Sequence, residues 1–169
     1  MAELTGRERL QPSLLDRLTD NAPDQRRESF EQQTLTMPQL RQAVLRDIAW
    51  LLNTTNLAAT EDLSAAPLGT KTTINYGVPG LAGTVSSAGQ FNSLETGIAN
   101  AIRAFEPRIR PETLTVRLRR GYEERVSPSI VFEIEGELWA QPVPEQLFLE
   151  TAIELETRLA VVTDTGMRG

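Results

Sequence analysis

The sequence predicts an α+β fold: a single domain with helices packed on one face of a small antiparallel sheet, carrying an N-terminal helical extension. Three observations carry this. Apolar residues recur at three- and four-residue spacing over 38–53 and again over 92–106, as on two amphipathic helices. Beyond residue 113 the apolar period drops to two, as in half-buried strands. Between these patterns lies Phe105-Glu106-Pro107-Arg108, where Pro107 cannot continue a helix and biases Glu106 away from helical angles.

Residues 1–37 read as an extension with one short helix. Pro12 and Ser13 can start it, Leu14, Leu15 and Leu18 give it an apolar stripe, and Thr19 to Pro23 ends it. Two turns are too short to persist alone, so this helix must dock on its own domain or on another chain. Residues 24–36 are mostly charged and amide-bearing, as in a linker or a weak helix. Residues 38–163 form the main domain and 164–169 a tail.

The first long helix takes Pro38 into its first turn and buries Leu40, Val44, Ile48, Leu51 and Leu52, with Asn53 as its stop. Trp50 widens the apolar face, as part of the core or as an anchor for a partner; core is the commoner outcome. From Thr54 to Gln90 the period fades among Pro67, Gly69, Asn75-Tyr76-Gly77-Val78-Pro79-Gly80 and Gly83. So long a loop is more often functional or ordered by a partner. The spacing of Gly77, Gly80 and Gly83 lacks the strand and the glycine core of a dinucleotide fingerprint, and no nucleotide cofactor is expected. In the second long helix Asn92 and Glu95 are spaced as a capping box. Gly97 in its interior points to a neighbour packed closely there.

Three strands are predicted. Leu114, Val116 and Leu118 alternate with polar partners in the first, and Ile130, Phe132, Ile134 and Leu138 in the second, with Arg120 to Pro128 as the hairpin between. In the third, Leu147, Leu149, Ile153 and Leu155 alternate with Phe148, Glu150, Ala152, Glu154 and Glu156; residues 146–156 also satisfy a helical stripe, and strand is preferred. Seven arginines fall between Arg103 and Arg125, and seven glutamates with no basic residue between Val126 and Glu156. Arg117 and Arg119 can pair with the second strand's glutamates. Glu150, Glu154 and Glu156 are then left without an internal partner, as a solvated face or as a docking edge for a basic segment added strand to strand.

Composition narrows the chemistry. The chain has 169 residues, enough for one domain, and a core that 40% hydrophobic but only 5% aromatic residues make mostly aliphatic. A net charge of −6 argues against nucleic-acid or anionic-membrane partners. The absence of cysteine and histidine removes thiolate chemistry, His-ligated metals and the usual neutral-pH base. Catalysis would fall to carboxylates, arginine, tyrosine or Lys71. No apolar run reaches bilayer length and the N-terminus lacks a signal-peptide core, so a cytoplasmic protein without membrane insertion is expected. Glu106 is the oddity. A carboxylate at a helix C-terminus meets the negative end of the macrodipole and calls for a cation. Arg108 is nearest, with Arg103 and Arg110 close by. The pair is either a solvated helix stop or a fixed charged corner that a partner or substrate reads.

Four stretches resemble one family when taken together. They are Ser13-Leu14-Leu15-Asp16-Arg17-Leu18, Leu45-Arg46-Asp47-Ile48-Ala49-Trp50-Leu51-Leu52-Asn53, Asn75-Tyr76-Gly77-Val78-Pro79-Gly80-Leu81, and Ile102-Arg103-Ala104-Phe105-Glu106-Pro107-Arg108-Ile109. Their order and spacing are similar to those of the TssE baseplate subunits of bacterial type VI secretion systems. These belong to the lysozyme-like baseplate wedge family of contractile phages. The likeness runs from about Ser13 to Val162; Gly80-Leu81 departs from it, an acidic residue being expected before the leucine. It implies a structural part joining wedge subunits to the first ring of the contractile sheath, with Glu106, Pro107 and Arg108 holding the assembly together and strands meeting the sheath. The helix of Leu14, Leu15 and Leu18 would dock other wedge subunits.

Two alternatives follow from the same fold. A muralytic glycosidase needs two carboxylates at a set separation, one of them kept protonated. An arginine beside Glu106 favours the ionised form, the wrong state for an acid, and no second carboxylate stands out. A small regulatory protein blocking a proteolysis adaptor fits less of the chain.

Overall fold

Pro38 in the first turn and a bond from Thr36 N–H to Gln39 Oε1 (2.8 Å) set the start of the main helical layer. In the computed structural model, which describes residues 10, 12–19, 24, 35–80, 88–119, 129–139, 144–154, 157 and 159–166, three helices precede four strands. Helix α1 is Leu14–Leu18, α2 is Met37–Leu52 and α3 is Ala88–Phe105; the strands are β1 (Thr115–Leu118), β2 (Ser129–Leu138), β3 (Glu145–Glu154) and β4 (Ala160–Asp164). The strands form one antiparallel sheet in the order β1-β2-β3-β4. The α+β class and the single-domain arrangement are those the sequence predicts.

The core lies between the sheet and the two long helices. Phe132, Ile134 and Leu138 on β2, with Leu147, Leu149 and Ile153 on β3, alternate inward against Leu40, Val44, Ile48 and Leu51 of α2 and Ile98 and Ile102 of α3. Helix α2 packs over β4 and α3 over β1. Arg41 fastens α2 to the far side of the sheet, with bonds of 2.8 Å from Nε and Nη2 to Asp164 and 2.7 Å from Nη1 to Glu145. Asn53 closes α2 and at the same time behaves as an extra peptide beside β4. Its amide donates to the Ala160 carbonyl (2.9 Å) and its oxygen accepts from Ala160 N–H (2.9 Å).

Several expectations need correction. The third strand is a strand, but an interior one, hydrogen-bonded to β2 and β4, so its backbone cannot accept an added strand. The strand that covers it, β4, is only five residues long and was not read from the sequence. Helix α3 starts at Ala88, so Asn92 lies inside it rather than at its cap, and Glu95 accepts from Leu118 N–H at the end of β1 (2.6 Å). Trp50 is half exposed, with the Arg46 guanidinium 5.1 Å from its ring centroid, and does not belong to the core. The Arg120–Pro128 hairpin connection and Glu156 lie outside the described residues, although β1 and β2 pair in the register such a hairpin would give.

Residues 54–80 fold as short turns around a few polar anchors. Single 3-10 turns occupy Leu57–Ala59, Pro67–Lys71 and Thr73–Asn75. Buried Asn75 ties them together, accepting from Ala58 N–H (2.8 Å) and donating to the Thr70 carbonyl (2.9 Å). Val78 N–H then donates to the Thr54 carbonyl, and the Val78 carbonyl accepts in return from Asn56 N–H, which fastens the segment to the exit of α2. Gly77 makes this approach possible. Its φ is +122°, and a Cβ there would stand 2.3 Å from the Thr54 oxygen. Gly97 has the close neighbour the sequence suggested, since a Cβ on it would lie 3.0 Å from Pro79 Cγ.

Candidate functional site

Helix α3 delivers Glu106 to the body of the protein. Glu106 N–H donates to the Ile102 carbonyl (2.8 Å), completing the last turn, and Pro107 stops the helix there. The chain then turns back so that Arg108 faces the glutamate. Arg108 Nε and Nη2 donate to the two Glu106 oxygens at 2.7 and 2.5 Å, and Arg108 N–H adds a third bond at 3.1 Å. This forked geometry is the strongest form of arginine–carboxylate pairing.

The pair is not the solvated helix stop that local chemistry allowed. Glu106 is 3% exposed. A buried carboxylate loses hydration that only charge-assisted bonds can replace. Arg108 supplies those bonds and in turn meets a second carboxylate, Asp47 of α2, with Nη2 to Oδ2 at 2.5 Å. Burial opposes the charge on Arg108, but the bonds and charges of Glu106 and Asp47 outweigh it and hold its pKa above the ordinary arginine value. Its Nη1 is buried with no hydrogen-bond partner among the described residues.

Asp47 also connects the corner to the N-terminal helix. Arg46 binds Asp47 Oδ1 (2.8 Å) on one side and Asp16 Oδ1 of α1 (2.6 Å) on the other. Asp16 is held below the usual aspartate range, first by its bond to Arg46, against the effect of burial. Asp16, Arg46, Asp47, Arg108 and Glu106 therefore form an unbroken chain of alternating charge across three elements. Sequence reading found its far end and missed its middle. Asp47 is the polar residue next to Ile48 on a helix with a broad apolar face, and spacing alone does not say which tertiary partner such a residue meets.

The corner opens on a groove of about 510 Å³ lined by Ser13, Leu15, Trp50, Tyr76 and Phe105 as well as by the three charged residues. Tyr76 meets Phe105 edge to face at 5.2 Å. Burial, and then the charges of Asp47 and Glu106, push the Tyr76 hydroxyl pKa up. Leu15 faces this groove, while Leu14 and Leu18 are 72% and 75% exposed, so all three leucines of the short helix remain reachable.

The acidic residues of β3 are elsewhere. The alternation puts Glu150 and Glu154 on the sheet face opposite the core residues Leu149 and Ile153. They have internal partners after all. Glu150 takes Arg119 Nη1 at 2.5 Å, and Glu154 accepts from the Thr157 hydroxyl at 2.6 Å. The pairing of Arg119 with β2 is looser, at 3.9 Å to Glu133. The corner and the acidic strand are thus two separate surfaces.

The chemistry of the corner is fixation. Both of its carboxylates bind one guanidinium, an arrangement suited to hold a surface in shape and to present unused donor capacity to a partner. Among the described residues, no helix is long and apolar enough to cross a membrane. A family model described as "Baseplate wedge protein gp25" matches residues 38–143, which include α2, the 3-10 turns, α3, the whole Glu106–Arg108–Asp47 corner, β1 and β2. No curated protein matches the chain. The match covers well over half of the sequence, and the chain belongs to the gp25 family of baseplate wedge proteins, structural parts that assemble with other baseplate subunits.

Proposed function

We propose that this protein is the cytoplasmic baseplate subunit of a bacterial type VI secretion system, joining wedge subunits to the first ring of the contractile sheath. The observation that carries the reading is the buried Glu106–Arg108–Asp47 corner. It lies inside the family-matched stretch and beside an open groove, and it spends two carboxylates on fixing one arginine. A fold gains little net stability from such a buried ion pair compared with apolar residues of similar size. Contact with another subunit is the better use of it.

In this reading Glu106, Pro107 and Arg108 contact the wedge, with Leu14, Leu15 and Leu18 as an apolar annex. Glu150 and Glu154 belong to a second surface, the outer sheet face, which suits a basic partner. Any strand added by the sheath must join β1 or β4, the outer strands of the sheet, and not β3. The test is co-expression of the full chain with the wedge, tube and sheath proteins encoded near it. A complex that elutes together and contains this chain is the expected result. Neighbouring genes without a sheath, or a chain that elutes alone in the presence of every such protein, would refute the assignment.

A further inference from the structure

Helix α1 forms one wall of the groove into which the corner opens. Ser13 and Leu15 line the same groove as Asp47, Glu106 and Arg108. Yet no residue of α1 is buried, and five helical residues make too few internal bonds to persist alone. Among the described residues, three attachments hold the segment down. Asp16 bonds Arg46, Leu10 packs against the core, and Leu35 N–H donates to the Leu10 carbonyl at 2.9 Å. Of these, only the Asp16–Arg46 pair is in the helix itself. Its side chains remain 17% and 35% exposed, and so partial an enclosure gives a weak bond that salt can loosen.

This weak bond is the first link of the charge chain that ends at Glu106. Arg46 divides its guanidinium between Asp16 and Asp47, and Asp47 divides its carboxylate between Arg46 and Arg108. Releasing Asp16 therefore changes the charge balance at Asp47, the residue that positions Arg108 from outside its own loop. It also takes Leu15 away from the groove wall that it shares with Trp50, leaving more of the apolar groove open.

We infer that α1 is an autoinhibitory strap: it walls in the groove at the Glu106–Arg108 corner in the free subunit, latched by Asp16 to Arg46, and swings off when a wedge subunit takes the corner. The partner in this statement rests on the assembly reading above. Closure does not, because it is a property of the isolated chain. The device keeps a subunit from exposing its contact site before a partner is present, and the latch is weak enough for binding to release.

The experiment uses the full chain with Trp139→Phe, which leaves Trp50 as the one remaining tryptophan. Acrylamide quenching of Trp50 and tryptic cleavage after Arg17 are measured for this background and for its Asp16→Asn and Asp16→Glu variants. Asp16→Asn should raise both signals by roughly two- to fivefold, the range open to a partly exposed ion pair. Asp16→Glu, which retains the charge, should stay near the parent. High salt should move the parent toward Asp16→Asn and leave Asp16→Asn unchanged. Equal quenching and cleavage in the parent and Asp16→Asn would overturn the strap. Association with the wedge subunits should also be faster in Asp16→Asn by a similar factor, and an open strap without faster association would overturn its inhibitory role. Failure of the corner reading looks different: the strap opens on cue, but changing Glu106 and Arg108 leaves association untouched.

Discussion

Glu106 is the residue on which the account turns, and its burial sets what mutation can reveal. Arg108→Ala removes the cation from a 3% exposed carboxylate and should cost about 3–5 kcal/mol in denaturant unfolding. That variant therefore mixes loss of stability with loss of contact. Changing both members, Glu106→Gln with Arg108→Met, removes the charges together while Asp47 keeps Arg46. Its stability should lie within about 1–2 kcal/mol of the parent. Gly77 offers a cleaner residue-scale test. With φ at +122° and no room for a Cβ beside the Thr54 oxygen, Gly77→Ala should lower stability by about 3 kcal/mol, read as a fall in the urea midpoint with an unchanged slope. At this scale the sequence was informative where chemistry is local. Glu106 and Arg108 are two positions apart, and a helix end that carries an acid calls for a nearby cation. Asp47 and Arg46 reach the same site from 61 residues away in the case of the Asp47–Arg108 bond, and no local rule contains that distance.

At the scale of elements, the attachment of α2 to the sheet is electrostatic at its start and polar at its end. Arg41 holds Asp164 below the usual aspartate range, chiefly through its side-chain bonds and against the effect of burial. A depressed carboxylate stabilises the fold at pH values above its unfolded pKa, and that stability fades as pH falls through the folded value. The ordinary value is 3.8, so the loss from this pair is confined to pH below about 4. Arg41→Met should remove that part of the acid-induced loss while lowering stability at neutral pH, checked by thermal unfolding across the range from pH 3 to 7, about. Strand and helix types were legible because long segments with a strict period leave little choice; β2 and β3 pair over ten residues each. What was missed is short or shared. Strand β4 has five residues and is positioned largely by Asn53, a side chain of α2, and by pairing with β3. The true start of α3 precedes the capping-box pattern at Asn92, and Glu95, free of a capping role, accepts a bond from the end of β1.

For the whole molecule, the main lesson concerns where charge goes. A chain of net charge −6 places acidic residues on the outer sheet face, with Arg119 as a local partner, and puts its most enclosed carboxylate, Glu106 paired with Arg108, at the junction of α2 and the end of α3. The composition predicted neither place. It excluded thiolate and histidine chemistry and left any catalysis to carboxylates, arginine, tyrosine or Lys71. The family match covers the α2 and α3 sides of the charge chain, and α1 with Asp16 lies outside it. Order among the motifs carried the family, whereas the division into two surfaces, corner and sheet face, needed the topology. An interior β3 moves any strand exchange to β1 or β4.

We propose that the corner is a contact and not merely a stop to α3. The most direct measurement is the affinity of the purified full chain for its neighbouring wedge subunits, compared between the parent and the Glu106→Gln, Arg108→Met double variant, with unfolding stability recorded for both. The double variant should keep its fold and lose binding by at least about thirtyfold, as for a central polar contact worth more than about 2 kcal/mol. A double variant that folds as the parent does and binds with the same affinity would contradict the proposal.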